Sequence, residues 1–136
     1  MADMLKDAVG HAQRAQRLLT GEYAVTKVLA ESPTLAEAGG RILRALAESL
    51  GWQLGMFWEV DDSAQCLRFV DLWHAANVAA DEFIIDSRGR TFAPGIGLVG
   101  RVWAAGQPMW IPDVVAEPMF RRAAMAARAG LHGAFA

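Results

Sequence analysis

Three glycines, Gly95, Gly97 and Gly100, have the spacing G-x-G-x-x-G, with Asp113 downstream at the distance of a ribose-binding acid. That pattern is typical of dinucleotide binding, in which glycine lets the backbone approach a pyrophosphate at a helix N-terminus. The context argues against this interpretation, because the preceding extended stretch, residues 91–93, is too short for the buried strand that such a unit needs. We therefore interpret the glycines as permitting a tight backbone path into a short helix.

Arg101 follows the last of these glycines and lies near the start of the expected helix. A guanidinium at that place could bind an anion together with free backbone amides. The charge distribution is compatible with this, since residues 88–136 carry six arginines against two acids, Asp113 and Glu117. The alternative is that these arginines solvate helix faces and pair with the acids of residues 1–87.

Catalytic chemistry finds no support in the sequence. It contains no nucleophile elbow, phosphate-binding loop or paired acidic motif, and no convincing set of nucleophile, base and orienting residue. The lone Cys66 cannot form an internal disulfide, and no group of cysteines and histidines has zinc-ligand spacing. His74 could ligate haem or sense pH; the alternative, as for His11 and His132, is an ordinary structural histidine. We predict a protein that is not an enzyme and that holds no metal.

The overall composition indicates one compact domain. The chain has 136 residues, of which 54% are apolar and five are tryptophan, which allows a real core but not two domains. A net charge of -2 gives no indication of nucleic-acid binding. The longest apolar stretches are too short to cross a bilayer, and the acidic start lacks the features of a signal peptide. We predict a cytoplasmic protein without a membrane span.

The N-terminal part, residues 1–32, is predicted to be helical. Residues 3–19 carry a weak, alanine-rich apolar stripe, and after Gly21 the pattern resumes until Ser32 and Pro33 stop it. We therefore expect a helix, a break and a second short helix. The stripe has few large apolar residues, so it would gain by packing on another helix.

A capping box formed by Thr34 and Glu37 predicts the start of the next helix. Gly39 and Gly40 lie in its interior, where each costs about 1 kcal/mol relative to alanine, so we expect another element to pack closely there. The inward face of this helix is predicted to hold Leu35, Ala38, Ile42, Leu46 and Leu50.

Two patterns predict strands in the middle of the chain: residues 52–60 alternate with period two apart from Phe57, and residues 66–73 form an apolar run, as expected of a strand covered on both faces. Residues 52–60 and 66–73 are predicted strands, and the turn residues 61–63 join them into a hairpin. The remaining elements are shorter. We expect helices at residues 81–87, 98–105 and 119–129, and extended pieces at residues 91–93, 109–111 and 131–136.

Two stretches, Phe92–Trp103 and Gly106–Asp113, resemble the most recognisable block of the GAF domain family. The resemblance covers about residues 33–136 and is strongest to sensory modules of bacterial signalling proteins such as sensor histidine kinases. It implies an α+β fold with a GAF/PAS-like antiparallel sheet of about six strands, helices on both faces, and a ligand pocket between sheet and helices. Residues 1–32 would then be signalling or dimerisation helices. The family's last strand or strands and its C-terminal helix are expected to be missing.

The resemblance also implies where a ligand would bind. Six candidate ligand-binding residues lie in the elements expected to surround the pocket: Trp58, Trp73, Phe92, Arg101, Trp103 and Trp110. Aromatic walls favour a flat ligand such as a nucleobase or tetrapyrrole, whereas the alternative for each ring is core packing. Some GAF proteins attach a bilin through cysteine, but Cys66 lies away from that position. Others reduce methionine sulfoxide with several cysteines, and this chain has one. The sequence leaves the cofactor unknown.

These observations lead us to expect a non-catalytic sensory module of bacterial signal transduction. It would bind a small molecule or a partner domain and couple that event, through residues 1–32, to a histidine kinase or another signalling effector. The alternative is a ligand-free module for dimerisation and protein interaction. In both cases we expect a homodimer, formed through the N-terminal helices or through an open sheet edge, and no nucleic-acid partner.

Overall fold

A computed structural model describes residues 2–118 and 120–136 of the chain. Its elements follow the order α1 (Ala2–Glu31), α2 (Leu35–Leu50), β1 (Leu54–Asp61), β2 (Cys66–His74), α3 (Asp81–Arg88), β3 (Thr91–Phe92), α4 (Gly97–Ala105), β4 (Trp110–Ile111), α5 (Ala123–Ala129) and β5 (Ala134–Phe135). The predicted hairpin and every predicted short element are present, with bounds that differ by a few residues. The predicted inward side chain of Leu35 and the predicted helix start at Met119 lie outside what the structure describes.

Helix α1 is continuous from Ala2 to Glu31, so the predicted break near Gly21 is wrong. Gly21 is buried against α2, where an added Cβ would lie 3.3 Å from the Cβ of Ser49. The glycine therefore allows two helices to approach closely, and it does not end the first one. The large apolar side chains of the first two thirds of α1, such as Leu5 and Leu19, are exposed.

Helix α2 begins as predicted. The Thr34 hydroxyl accepts a hydrogen bond from the backbone N–H of Glu37 at 3.2 Å, which satisfies one of the amides left free at the helix start. Gly39 lies against the ring of Phe57 in β1, and Gly40 lies against the carboxylate of Asp71 in β2. The two glycines thus bring α2 directly onto the hairpin, as predicted.

The strands form two antiparallel sheets, one of three strands in the order β1-β2-β3 and one of two strands, β4-β5. The resemblance implied about six strands, and the described residues form five. Helix α2 covers one face of the larger sheet. On the other face Met56 of β1 meets Ser87 of α3, and the buried cluster around Phe83, Leu98 and Ala126 lies beyond it. Helices therefore lie on both faces of this sheet.

The tight turn at the glycine block is also as predicted. The backbone N–H of Gly95 donates to the carbonyl of Gly100 at 2.8 Å, which folds the loop back onto the start of α4. A Cβ at Gly100 would lie 2.5 Å from the carbonyl oxygen of Ala93. Backbone thus occupies the space at this glycine.

Strand β1 has one pairing partner, β2, in the described part of the chain. Its second edge lies between α2 and β5, and the two sheets do not join there. A groove opens along this edge. Within the described residues, no helix combines the length and the apolar character that a membrane crossing requires.

Candidate functional site

The groove beside β1 encloses about 370 Å³ and is mostly apolar. Helices, strands and loops from most of the domain supply its walls. Leu46 comes from α2, Trp58 from β1, Phe83 from α3, Phe120 from the loop before α5, and Phe135 from β5. A concave apolar site of this size, with few polar groups, is the usual form of a small-molecule site in proteins.

Arg122 is the one cation among the described residues that line the groove. Only 4% of its surface is exposed. Its guanidinium carbon lies over four aromatic rings, at 5.4 Å from the ring centre of Phe92, 5.5 Å from Phe83, and 5.7 Å from both Trp58 and Phe120. These distances are within the range of cation–π attraction. We refer to Arg122 with these four rings as the arginine cage.

A hydrogen bond to Ser87 holds the guanidinium in the cage. Arg122 Nη1 donates to the hydroxyl of Ser87 at 3.0 Å, and that hydroxyl donates to the sulfur of Met56 at 3.4 Å. Ser87 is completely buried, so its hydroxyl has no access to solvent. The Ser87 hydroxyl therefore accepts from the guanidinium in a place that water does not reach.

The charge of Arg122 has no carboxylate within ion-pair distance in the described part of the chain. Asp86 acts on it from farther away, but that carboxylate already accepts two hydrogen bonds from Arg90, at 2.9 and 2.8 Å. Burial lowers the pKa of Arg122 to about 10, and the attraction of Asp86 partly opposes the shift. The side chain is thus a buried cation at neutral pH, with aromatic faces in place of a counterion.

A second polar group in the same wall lacks a partner. The indole Nε1 of Trp58 is buried and has no hydrogen-bond acceptor among the described residues. Buried donors are normally satisfied, so an unmet one indicates a place where a bound molecule or water supplies the acceptor. Trp58 thus adds an unpartnered donor to a wall that also holds the buried cation of Arg122.

The predicted ligand-binding residues separate into two groups. Trp58 lines the groove, and Phe92 packs edge-on against it with ring centres 5.1 Å apart while stacking under Arg122. The other four lie outside the groove's described lining, and their role as ligand contacts stays a prediction: Trp73, Arg101, Trp103 and Trp110.

Trp73 lies two residues from Asp71 and so shares the α2 face of the sheet. Trp110 is 60% exposed and packs edge-on against Trp52, with ring centres 5.5 Å apart. Trp103 is half-buried on α4. None of these three positions brings an indole to the arginine cage.

Arg101 lies on α4, where its Nε donates to the carbonyl of Gly97 at 3.2 Å. Its Nη1 lies 3.9 Å from a carboxylate oxygen of Glu117, and its Nη2 is buried without an acceptor in the described residues. The guanidinium thus has a carboxylate of its own chain beside it. It does not contribute to the groove.

Arg122 was not among the predicted site residues. A signal was available, because Arg122, Ala126 and Ala129 are spaced four and three residues apart and therefore share one face of a helix. If Ala126 faces the core, Arg122 faces it too. Arginine is rarely fully buried without a partner, which is why the sequence pattern alone favoured an exposed side chain.

Other chemistry has little basis in the described residues. They contain no group of three or more histidine, cysteine or acidic side chains that could hold a metal ion. Cys66 is a free, half-buried thiol at the start of β2. The arrangement is suited to binding an anion against aromatic walls.

Comparison with known proteins agrees with the fold. The family model described as GAF domain matches residues 32–136. The Nif-specific regulatory proteins of Azospirillum lipoferum and Azospirillum brasilense are each 32% identical to this chain over 98 residues, which make up 72% of this chain and 14% of theirs. The chain therefore spans a small part of the length of these curated relatives.

Solved structures share the fold at lower sequence identity. The GAF domain of A. aeolicus nlh2 in an inactive state superposes with a TM-score of 0.64 at 22% identity, covering 85% of this chain and 64% of that one. The GAF domain of a phosphoenolpyruvate-protein phosphotransferase from Coxiella burnetii gives 0.66 at 17%, covering 90% and 68%. The free methionine-R-sulfoxide reductase of Neisseria meningitidis gives 0.59 at 19%, covering 81% and 59%. With its α+β architecture and the family match over residues 32–136, the chain belongs to the GAF domain family.

Proposed function

We propose that this chain is a non-catalytic sensory module, in which a small molecule bound in the groove biases the packing of α1 on α2 and so signals to an effector. The observation that carries the proposal is the buried cation of Arg122, which lines an apolar groove without a counterion among the described residues. A purely structural groove has no need of such a group, because burying an unpaired charge is costly.

The relatives support a regulatory role. Both Azospirillum relatives are Nif-specific regulatory proteins, and the part similar to this chain is a small fraction of each. The effector of such a protein would lie outside the similar part, and a histidine kinase is one candidate. One structural neighbour is a reductase, but the single cysteine here favours binding over redox catalysis. We place the module in the cytoplasm, where the Cys66 thiol would stay reduced.

The path from the groove to α1 is short. Helix α2 lines the groove with Leu46 and Leu50, and on an adjoining side it packs on α1 at the close contact of Ser49 with Gly21. A ligand that pushes on α2 would act directly on this contact. Coupling requires that the ligand binds one arrangement of the two helices more tightly than the other.

A thermal stability measurement tests the proposal. The protein is heated with and without the small-molecule fraction of a bacterial lysate, and we expect the melting temperature to rise by about 3 °C or more when a ligand binds the folded state alone. Leu46→Trp should abolish the rise by filling the mouth of the groove. Leu29→Trp, at an exposed leucine of α1 outside the groove, is the matched control and should keep it.

Two results would count against small-molecule sensing. One is a melting temperature that no fraction changes. The other is a rise that Leu46→Trp and Leu29→Trp preserve equally, because the bound molecule would then lie elsewhere.

A second candidate function is dimerisation without a ligand. Four exposed apolar residues of α1, Leu5, Val9, Leu19 and Tyr23, fall on one stripe with Ala12 and Gln16 at alternating spacings of four and three. This spacing is typical of the seam between two helices in a coiled coil, and a second copy of α1 would cover it.

Sedimentation velocity over a range of concentrations tests the dimer. We expect Leu19→Glu to shift the protein to the monomer, since it places charge in the seam. His11→Glu adds a carboxylate away from the stripe and should leave the dimer intact. A wild-type protein that remains a monomer at high concentration would exclude this interface.

A further inference from the structure

The hydrogen-bonding groups of Arg122 in the arginine cage indicate which kind of molecule the groove would bind. A guanidinium presents five N–H donors in one plane. Among the described residues, Arg122 uses Nη1 toward Ser87 and Met56, and its aromatic neighbours offer faces and no acceptor oxygens. Cation–π contacts offset part of the cost of burial, but they do not satisfy N–H groups.

Arg122 has no carboxylate within ion-pair distance in the described part of the chain. The partner that suits its single charge is an acceptor with one negative charge. A carboxylate pairs with guanidinium through two parallel hydrogen bonds and matches its planar shape. A dianion such as a phosphate monoester fits less well, because the groove has one lining cation in its described part. The unpartnered Nε1 of Trp58 is a further donor in the same wall.

The rest of the groove specifies the body of the ligand. Its walls are aromatic and aliphatic, and its volume of about 370 Å³ is that of a small organic molecule. Building on the proposed function, we propose that the groove binds a flat, apolar carboxylic acid whose carboxylate pairs with Arg122 and whose ring system lies against Trp58, Phe83 and Phe120.

Calorimetric titration with a matched pair of probes tests this. 2-Naphthoate and 2-naphthamide share one ring system and differ in the charge of the head group. We expect the wild-type protein at neutral pH to bind the acid about tenfold more tightly than the amide, as expected when a hydrogen bond to a charged group is gained. Added salt should reduce this preference for the acid less than it weakens an ion pair on the surface, because the cage is buried.

Variants assign the preference to the cage. Arg122→Gln should bring the two affinities within about twofold of each other. Arg122→Lys keeps the charge and should retain part of the preference. The neighbouring Arg121 is exposed and does not line the groove, so Arg121→Gln is the matched control and should behave as the wild type. Circular dichroism and melting curves establish that each variant is folded.

Trp58→Phe separates the indole donor from the ring. It retains an aromatic face under the guanidinium but removes Nε1, so we expect a loss of a fewfold in affinity for the acid and a smaller loss for the amide, whose neutral carbonyl oxygen is a weaker acceptor. An equal loss for both probes would show that Trp58 acts only as an apolar wall, and would remove it from the anion site.

The outcomes for the two proposals differ. Equal affinity of folded wild-type protein for acid and amide would overturn the carboxylate proposal and leave small-molecule sensing standing. Failure of both probes to bind would also overturn it. Sensing itself fails only with the lysate-fraction experiment, which makes no assumption about charge.

Discussion

Arg101 and Arg122 lie in the same basic part of the chain, yet their surroundings differ in kind. Arg101 follows the glycine block on α4, beside a carbonyl and the carboxylate of Glu117. Arg122 precedes α5 and is enclosed by four aromatic rings, with no carboxylate at ion-pair distance in the described residues. Arg101 Nη2 is also buried without an acceptor, so the difference between the two side chains is the carboxylate, which lies beside Arg101 and not beside Arg122. The comparison teaches that a binding charge is recognised by the absence of a counterion, and less by the motif that precedes it.

The largest effect concerns the glycine block. Gly100→Ala should destabilise the protein by about 3 kcal/mol, because the added methyl group meets backbone that cannot move aside cheaply. Urea denaturation followed by tryptophan fluorescence measures the change. Gly10→Ala is the control with the opposite sign: its Cβ meets only the tip of Arg14, at 4.0 Å, and helix propensity should stabilise α1 by up to about 1 kcal/mol. A neutral Gly100→Ala would show that the backbone at Ala93 moves aside at little cost.

The second effect concerns the stability of the arginine cage. Replacing a buried ionic group and its partner by apolar groups of similar volume is often neutral or stabilising. We expect the free energy of unfolding of the double variant Arg122→Met/Ser87→Ala to be within about 1 kcal/mol of the wild-type value or higher. The double variant leaves neither a buried charge nor a buried hydroxyl. Arg122→Met alone should be less stable than the double variant. A double variant that is destabilised by several kcal/mol would mean that the cage holds the cation for stability, and not for a ligand.

The third effect is the pH dependence that Asp86 confers. The hydrogen bonds from Arg90 lower the pKa of Asp86, so its stabilising contribution is fully present above the ordinary aspartate pKa of about 4 and is lost as the pH falls through the lowered value. Asp86→Asn should cost about 1 kcal/mol at neutral pH. The difference from the wild type should close in acid, when both side chains are neutral. Asp62→Asn, in the exposed turn after β1, is the control. A gap that persists in acid would assign the loss to packing.

The smallest effect concerns Arg101. Its ion pair with Glu117 is long and partly exposed, so Arg101→Gln should cost less than about 1 kcal/mol in thermal unfolding. It should also leave the preference of the protein for 2-naphthoate unchanged. A lost preference in this variant would transfer the anion site from the cage to α4.

The sequence predicted the local elements well, because their signals are local. The helix start at Thr34 and the hairpin each depend on residues a few positions apart, and both predictions are confirmed. The break near Gly21 was wrong for a physical reason. Glycine permits a helix end and also permits close helix packing, and only the position of Ser49 decides between them.

The arginine cage could not be predicted in the same way. The hydrogen-bond partners of Arg122 lie 35 and 66 positions away in the chain, so no short window contains them. The glycine block gave Arg101 a recognisable setting, whereas Arg122 stands in an alanine-rich helix region with no motif. Of the aromatic candidates, Trp58 and Phe92 are the two that the fold brings to the cage.

Native mass spectrometry of the protein purified from a bacterial host gives the most direct test of ligand binding in the groove. We predict that the folded protein carries an extra mass that is lost on denaturation, that the released molecule is an organic acid, and that Arg121→Gln retains this mass while folded Arg122→Gln does not. The contrary result is a folded wild-type protein that retains no small molecule even after incubation with the lysate fraction. The groove would then be a surface for protein contact.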